Sequence, residues 1–133
     1  MLLLDTHVLI WFAEDSPRLG ARTIGLVDRA LGRDEVMVSA VSFWEVAMLL
    51  EKGRLDLDIP ATAMRQKVLQ LGIHEVPLSG SVAISAATLP DFHGDPADRF
   101  IVASAIAGGA TLVTADSTIL KWKDQLKRQD ARR

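Results

Sequence analysis

Apolar residues recur along this chain in two rhythms. Short aliphatic or β-branched runs alternate with longer stretches in which apolar positions repeat at helical spacing. Leu2 to Leu4 reads as a first strand, followed by a short helix through Trp11 and Phe12 and a second from about Pro17 to Leu31, which Gly32 closes. Glu35 to Ser39 reads as a second strand, and a helix from Phe43 to Lys52 comes next, capped by Gly53. Pro60 suits the first turn of the next helix, apolar at Ala63, Met64, Val68 and Leu71 and stopped by Gly72. Ile73 to Leu78 is a third strand, Ser79 to Leu89 a helix, Pro90 to Pro96 a loop, Ala97 to Ala107 a helix, and Thr111 to Thr114 a fourth strand after Gly108-Gly109.

Strands and helices that alternate in this way predict an α/β fold of three layers, α/β/α, with a central parallel sheet of four or five strands. The stretch from Lys121 to Arg133 loses the apolar pattern after Leu126 and reads as a helix end running into a basic, mobile tail. No internal repeat and no low-complexity segment interrupts the chain. At 133 residues and 49% hydrophobic residues, residues 1 to 133 make one domain of ordinary size.

Composition removes several chemistries. There is no cysteine, which excludes disulfides, zinc thiolates and thiol nucleophiles, and a reducing cytoplasm is the simplest setting. The apolar start Met1-Leu2-Leu3-Leu4 meets Asp5 at once, unlike a secretory leader, and the stretch from Phe100 to Val113 is too short to span a bilayer. A formal net charge of -2 argues against a general polyanion binder. That objection weakens once four particular acids are set aside, because fifteen Lys and Arg then face thirteen acids, a balance of +2.

The four are Asp5, Glu45, Asp98 and Asp116. Asp5 directly follows the first strand and Asp116 comes two residues after the fourth, so both stand at carboxyl ends of strands, where open parallel sheets bind ligands. Glu45 falls in the first turn of the helix after the second strand, and Asp98 in the first turn of the helix beginning near Pro96. Each acid alone reads as a helix-start residue: Ser42 with Glu45 fits a capping box, Asp95 with Pro96 an N-cap pair with Asp98 on the helix dipole, and Asp116 a cap for the turn at Ser117. Their common edge argues for more. Carboxylates gathered there repel, and at least one stays protonated unless a cation compensates; oxygen-only donors suit Mg²⁺, with Mn²⁺ as substitute. Such an ion polarises a phosphoryl oxygen and activates water, so a phosphodiester is the natural substrate.

The phrases Leu4-Asp5-Thr6-His7, Ser42-Phe43-Trp44-Glu45-Val46, His93-Gly94-Asp95-Pro96-Ala97-Asp98-Arg99 and Leu112-Val113-Thr114-Ala115-Asp116 resemble, in order and spacing, the motifs of PIN-domain proteins of the VapC toxin type. The resemblance runs from Met1 to about Leu120. It implies a PIN-like fold and a Mg²⁺-dependent endoribonuclease, the toxin of a toxin-antitoxin pair, with RNA as substrate. Asp5 and Asp98 would then be the firmest metal ligands, Asp116 a ligand directly or through water, and Glu45 either a ligand or the group that orients the attacking water. Asp98, not Asp95, would take the site position. Thr6 and Thr114 would orient the acids, or equally be ordinary strand-end and turn hydroxyls. The resemblance also implies a homodimer and a cognate antitoxin whose C-terminal segment covers the acidic crevice. Related chains often end in a further edge strand, and here the stretch from Ile119 to Lys127 is amphipathic and basic instead.

Other residues are weaker candidates. His7, His74 and His93 are too scattered for a metal pair, although His93 could touch substrate from its loop. Arg99 is a candidate for an RNA phosphate, with a structural ion pair as the rival reading. Lys52, Arg54, Lys121, Lys123, Lys127 and Arg128 read equally as RNA-guiding cations and as solvated faces. Trp11 and Trp44 read as core or dimer contacts, and Val8, Leu9, Trp11 and Phe12 as either a partner surface or core. Two other functions fit parts of the pattern. An aspartate phosphatase would use Asp5 as nucleophile, but His7 stands where a second aspartate is usual and no lysine follows the fourth strand. A non-catalytic RNA- or protein-binding module would have no physical reason to keep four repelling acids.

Overall fold

The computed structural model describes residues 1 to 133. Five short strands form one sheet: β1 Leu2–Leu4, β2 Val36–Ser39, β3 His74–Val76, β4 Thr111–Thr114 and β5 Arg128–Asp130. Their order is β3-β2-β1-β4-β5 and every neighbouring pair is parallel. Seven helices connect them: α1 Thr6–Ala13, α2 Ala21–Gly32, α3 Ala40–Glu51, α4 Ala61–Gln70, α5 Gly80–Ala87, α6 Pro96–Gly108 and α7 Ser117–Lys121.

The strands are apolar at successive positions because both faces of the sheet are covered. Leu4 and Val113 are register partners and bury into one core with Val8, Leu9, Val27, Val46, Met64 and Val68 from α1 to α4. Leu3 and Leu112, one residue earlier, bury into a second core on the opposite face with Ile101, Val102 and Ala105 of α6, Ile119 of α7, and Phe92. The period-two alternation of the strand therefore divides the interior into the two layers expected of a three-layer fold. Val8, Leu9 and Trp11 belong to the first core, so the early helix offers no partner surface through them.

Three expectations need correction. The second helix starts at Ala21 and not at Pro17, since Ser16 to Leu19 forms a turn in which the Ser16 hydroxyl accepts from the Arg18 backbone N–H. The third helix starts at Ala40, capped by the Ser39 hydroxyl, three residues before the predicted Phe43. Ser42 and Glu45 therefore lie inside α3, and the capping-box reading of that pair fails.

The tail departs furthest from expectation. Residues 121 to 133 do not trail off: Trp122, Leu126 and Ala131 are buried and residues 128 to 130 form β5 beside β4. One arginine accounts for the misleading polarity. The Arg128 guanidinium donates to the carbonyls of Ile119, Trp122, Asp124 and Leu126, so an apparently solvated basic residue folds the preceding loop around itself.

Candidate active site

The carboxyl edge of β1, β2 and β4 opens on a cleft of about 280 Å³ lined by Asp5, His7, Trp11, Glu45, Asp95, Asp98, Ala115, Asp116 and Arg132. All four acids singled out from the sequence meet there, each delivered by a different element. Asp5 directly follows β1 and caps α1, its Oδ1 accepting from the Thr6 backbone N–H at 2.8 Å. Its Oδ2 accepts from the Thr114 hydroxyl at 2.6 Å, and the same hydroxyl accepts from the Asp116 backbone N–H at 3.1 Å. Thr114, the last residue of β4, thus ties two of the acids to each other.

Glu45 enters from the second turn of α3. Thr6 Oγ1 donates to its Oε1 at 2.6 Å and lies 2.9 Å from the Ser42 hydroxyl, so the start of α1 and the body of α3 meet through three buried polar groups. Asp98 sits in the first turn of α6, where Asp95 caps through Oδ1 to the Asp98 backbone N–H at 2.9 Å. Asp116 caps α7 through Oδ1 to the Ile119 N–H at 3.1 Å. The capping readings of Asp95 and Asp116 are therefore physically real, and for Asp116 the cap and the cleft position coexist.

Burial raises the pKa of three of the cleft carboxyls. Asp5 rises through desolvation, opposed by the hydrogen bonds from Thr114 and Thr6 and by His7, and reinforced by Asp116. Glu45 rises through burial, opposed by Thr6 and reinforced by Asp5 and Asp95. Asp98 is pushed up to about 8, first by burial and then by the charges of Asp5, Asp95, Asp116 and Glu45. No side-chain donor compensates it.

The donor set fits a hard divalent ion. Every oxygen available is a carboxylate oxygen; Glu45 Oε2, Asp116 Oδ2 and both Asp98 oxygens have no hydrogen-bond partner in the protein, and Asp5 keeps a lone pair on each oxygen. The four repel one another, and no three already stand in a geometry that encloses an ion. Ligation would require them to close in, which a cation favours by neutralising that repulsion.

The remaining candidates divide. Arg99 does not reach the cleft: its guanidinium donates to Phe92 O at 2.6 Å and Ala86 O at 3.2 Å and lies 5.8 Å from the Phe92 ring, holding the loop before α6. The sequence expectation of a phosphate contact there gives way to a structural role. His93 is exposed and lies outside the lining. Trp44, expected in the core or an interface, is 59% exposed beside a separate apolar groove formed with Val41, Leu78, Pro96, Ala97 and Phe100. Sequence reasoning missed Arg132, which lines the cleft from a segment read as a tail. It gave His7 little weight, although the phrase Leu4-Asp5-Thr6-His7 already placed that residue beside the site.

Fold and cleft together define a class of protein in which a parallel α/β sheet gathers hard-oxygen donors from four separate segments at its carboxyl edge. The chain belongs to the PIN-domain family, whose profile matches residues 2–124. It is 40% identical over 116 residues to Ribonuclease VapC22 of Mycobacterium tuberculosis, covering 86% of each chain. Among solved structures, VapBC2 from Rickettsia felis, bound to a DNA fragment from its promoter, matches with a TM-score of 0.73 at 16% identity over 96% of both chains. FitAcB from Neisseria gonorrhoeae matches with a TM-score of 0.68 at 21% identity over 98% of both. These two establish the fold. No helix of the protein is long and apolar enough to cross a membrane.

Proposed function

We propose that this protein is a divalent-metal-dependent endoribonuclease, using Mg²⁺ or Mn²⁺, and the toxin half of a toxin-antitoxin pair. The observation that carries the reading is the meeting of Asp5, Glu45, Asp98 and Asp116 in one cleft, with the Asp98 carboxyl pushed up to about 8 by burial and then by the charges of its neighbours. Buried repulsion of this kind opposes folding, and a fold retains it where a cation resolves it. Similarity to a protein named as a ribonuclease, and to solved toxin-antitoxin assemblies, supports the same choice of substrate and partner.

When bound, the ion supplies Lewis acidity toward a phosphoryl oxygen and lowers the pKa of water. Asp5, held through both oxygens, and Asp98 would be the principal ligands, with Asp116 fixed beside them by Thr114. Glu45, oriented through Oε1 by Thr6, has Oε2 left to receive the proton of the attacking water. Hydrolysis then forms a bond between that water oxygen and phosphorus and breaks the bond to the leaving ribose oxygen, which gains a proton from solvent.

Purified protein incubated with structured and unstructured RNAs in Mg²⁺ or Mn²⁺ should cleave at least one. EDTA, Asp5→Asn or Asp98→Asn should each reduce the rate by more than about a hundredfold, the scale of a lost metal contribution of several kcal/mol. Cleavage that persists in EDTA, or folded protein that neither binds metal nor cuts any RNA, overturns the reading. The exposed Trp44 groove supports self-association, and sedimentation showing only monomer at high concentration would exclude the homodimer.

A further inference from the structure

The acid cleft contains one arginine, Arg132, the penultimate residue of the chain. It lines the same cleft as Asp5, Glu45, Asp98 and Asp116 yet forms no ion pair with any of them; the ion pairs of the protein lie elsewhere, at Arg65–Glu75, His74–Asp34 and Arg133–Asp130. Its guanidinium instead donates from Nη1 to the Ala115 carbonyl at 2.7 Å and lies 5.9 Å from the centre of the Trp11 ring. That is the one side-chain hydrogen bond it makes to the protein, and the rest of its N–H donors are unengaged.

The backbone beneath it is fixed. Ala131 N donates to Thr114 O and Gly20 N to Ala131 O, both at 2.9 Å, while Thr23 N donates to Arg133 O at 3.2 Å and Thr23 Oγ1 to Asp130 O at 3.2 Å. A Cβ at Gly20 would fall 2.0 Å from the Arg133 carbonyl carbon, so the chain end lies directly on the N-terminus of α2. An always-charged, planar donor fork is thereby held on a rigid edge beside four carboxylates without being neutralised by them.

We propose that Arg132 binds a backbone phosphate of the RNA at the cleft and so sets the position of the strand relative to the acids. The inference rests on the nuclease reading and adds a residue to it. The acids repel a polyanion, and a cation whose donors remain free among them answers that repulsion at one defined point. Guanidinium geometry matches two phosphoryl oxygens at once, which an ammonium does not reproduce.

The test uses a fluorescently labelled single-stranded RNA that the wild type cleaves, with kcat and KM measured over a series of KCl concentrations. Arg132→Ala should lower kcat/KM about tenfold or more, mainly through KM, the effect of one lost charge-assisted hydrogen bond. Its salt dependence should be shallower by about 0.7 in log-log slope, one phosphate contact on a single strand. Arg132→Lys should recover part of the loss, while Arg133→Ala, which removes an equal charge one residue away, should behave as wild type. Mg²⁺ binding without RNA should not weaken in either Arg132 variant; if the Ala variant folds poorly, the Lys variant carries the same comparison. An Arg132→Ala protein with wild-type kcat/KM and salt slope overturns the inference alone, as does an Arg133→Ala loss as large. A wild type that cuts no RNA overturns the nuclease reading beneath it.

Discussion

The outer face of α4 and β3 and the cleft at the carboxyl edge each hold a carboxyl group shifted from its ordinary pKa, in opposite directions. Glu75 of β3 accepts two hydrogen bonds from Arg65 of α4, at 2.8 and 3.1 Å, and its pKa is lowered chiefly by them. Asp98 receives no donor, lies half-buried among Asp5, Asp95, Asp116 and Glu45, and is pushed up to about 8. The first is complete within the protein. The second has no ion-pair partner among the protein's own side chains, and this separates a surface ion pair from a candidate site.

The largest expected effect comes from disturbing the packing that buries Asp98. Gly94 precedes α6, and a Cβ there would lie 2.5 Å from the Phe92 ring and 3.1 Å from Asp98 Cβ. Phe92 cannot retreat, being buried with its ring edge-on to Trp122 at 5.3 Å. Gly94→Ala should cost about 1–3 kcal/mol, read as a loss of several degrees in Tm. A variant that melts with the wild type would show that the loop adapts freely.

A smaller effect should come from removing the uncompensated charge. Because the folded pKa of Asp98 is raised above 3.8, the folded state binds more protons than the unfolded one between about 4 and 8. The stability this group contributes is complete below about 4 and is lost as pH rises through about 8. Without metal, Asp98→Asn should therefore melt higher than wild type at pH 8, by about 1–2 kcal/mol after allowance for solvent screening, with the gap closing toward pH 4. Mg²⁺ should raise the wild-type Tm at pH 8 and that of the variant far less. A gap independent of pH would contradict the assignment.

The smallest effect belongs to the completed pair. Glu75 is lowered, so its contribution is present above its ordinary value and lost as pH falls. The pair is solvent-exposed, and Glu75→Gln should shift Tm at pH 7 by no more than about a degree and leave RNA cleavage unchanged. A loss as large as that of Gly94→Ala would erase the distinction between the two regions.

Much of the fold was legible in the sequence because it depended on local order. β1, β2 and β4 were readable as apolar runs bounded by polar residues. The strand-helix alternation dictated a parallel sheet, and in a parallel sheet the residues just past each strand all emerge at one edge. Asp5 and Asp116 were therefore placed by topology, and Asp98 by the cap at Asp95-Pro96. Glu45 was found for a partly mistaken reason: it lies in the second turn of α3, and its orientation comes from Thr6, 39 residues away.

The sequence by itself determined the layers, the parallel sheet and the four acids, because hydrophobic periodicity and chain direction are properties of neighbouring residues. Only the tertiary structure decided which of the charged residues serve the interior and which face the cleft. Arg99 and Arg128 look free in the sequence but are occupied by backbone carbonyls. Arg132 looks like part of a loose tail and is instead held in the cleft, because β5 pairs with β4 and the chain end packs on Gly20. The partner of a long, flexible cationic side chain depends on what folding brings within its reach, and no spacing along the chain encodes that distance.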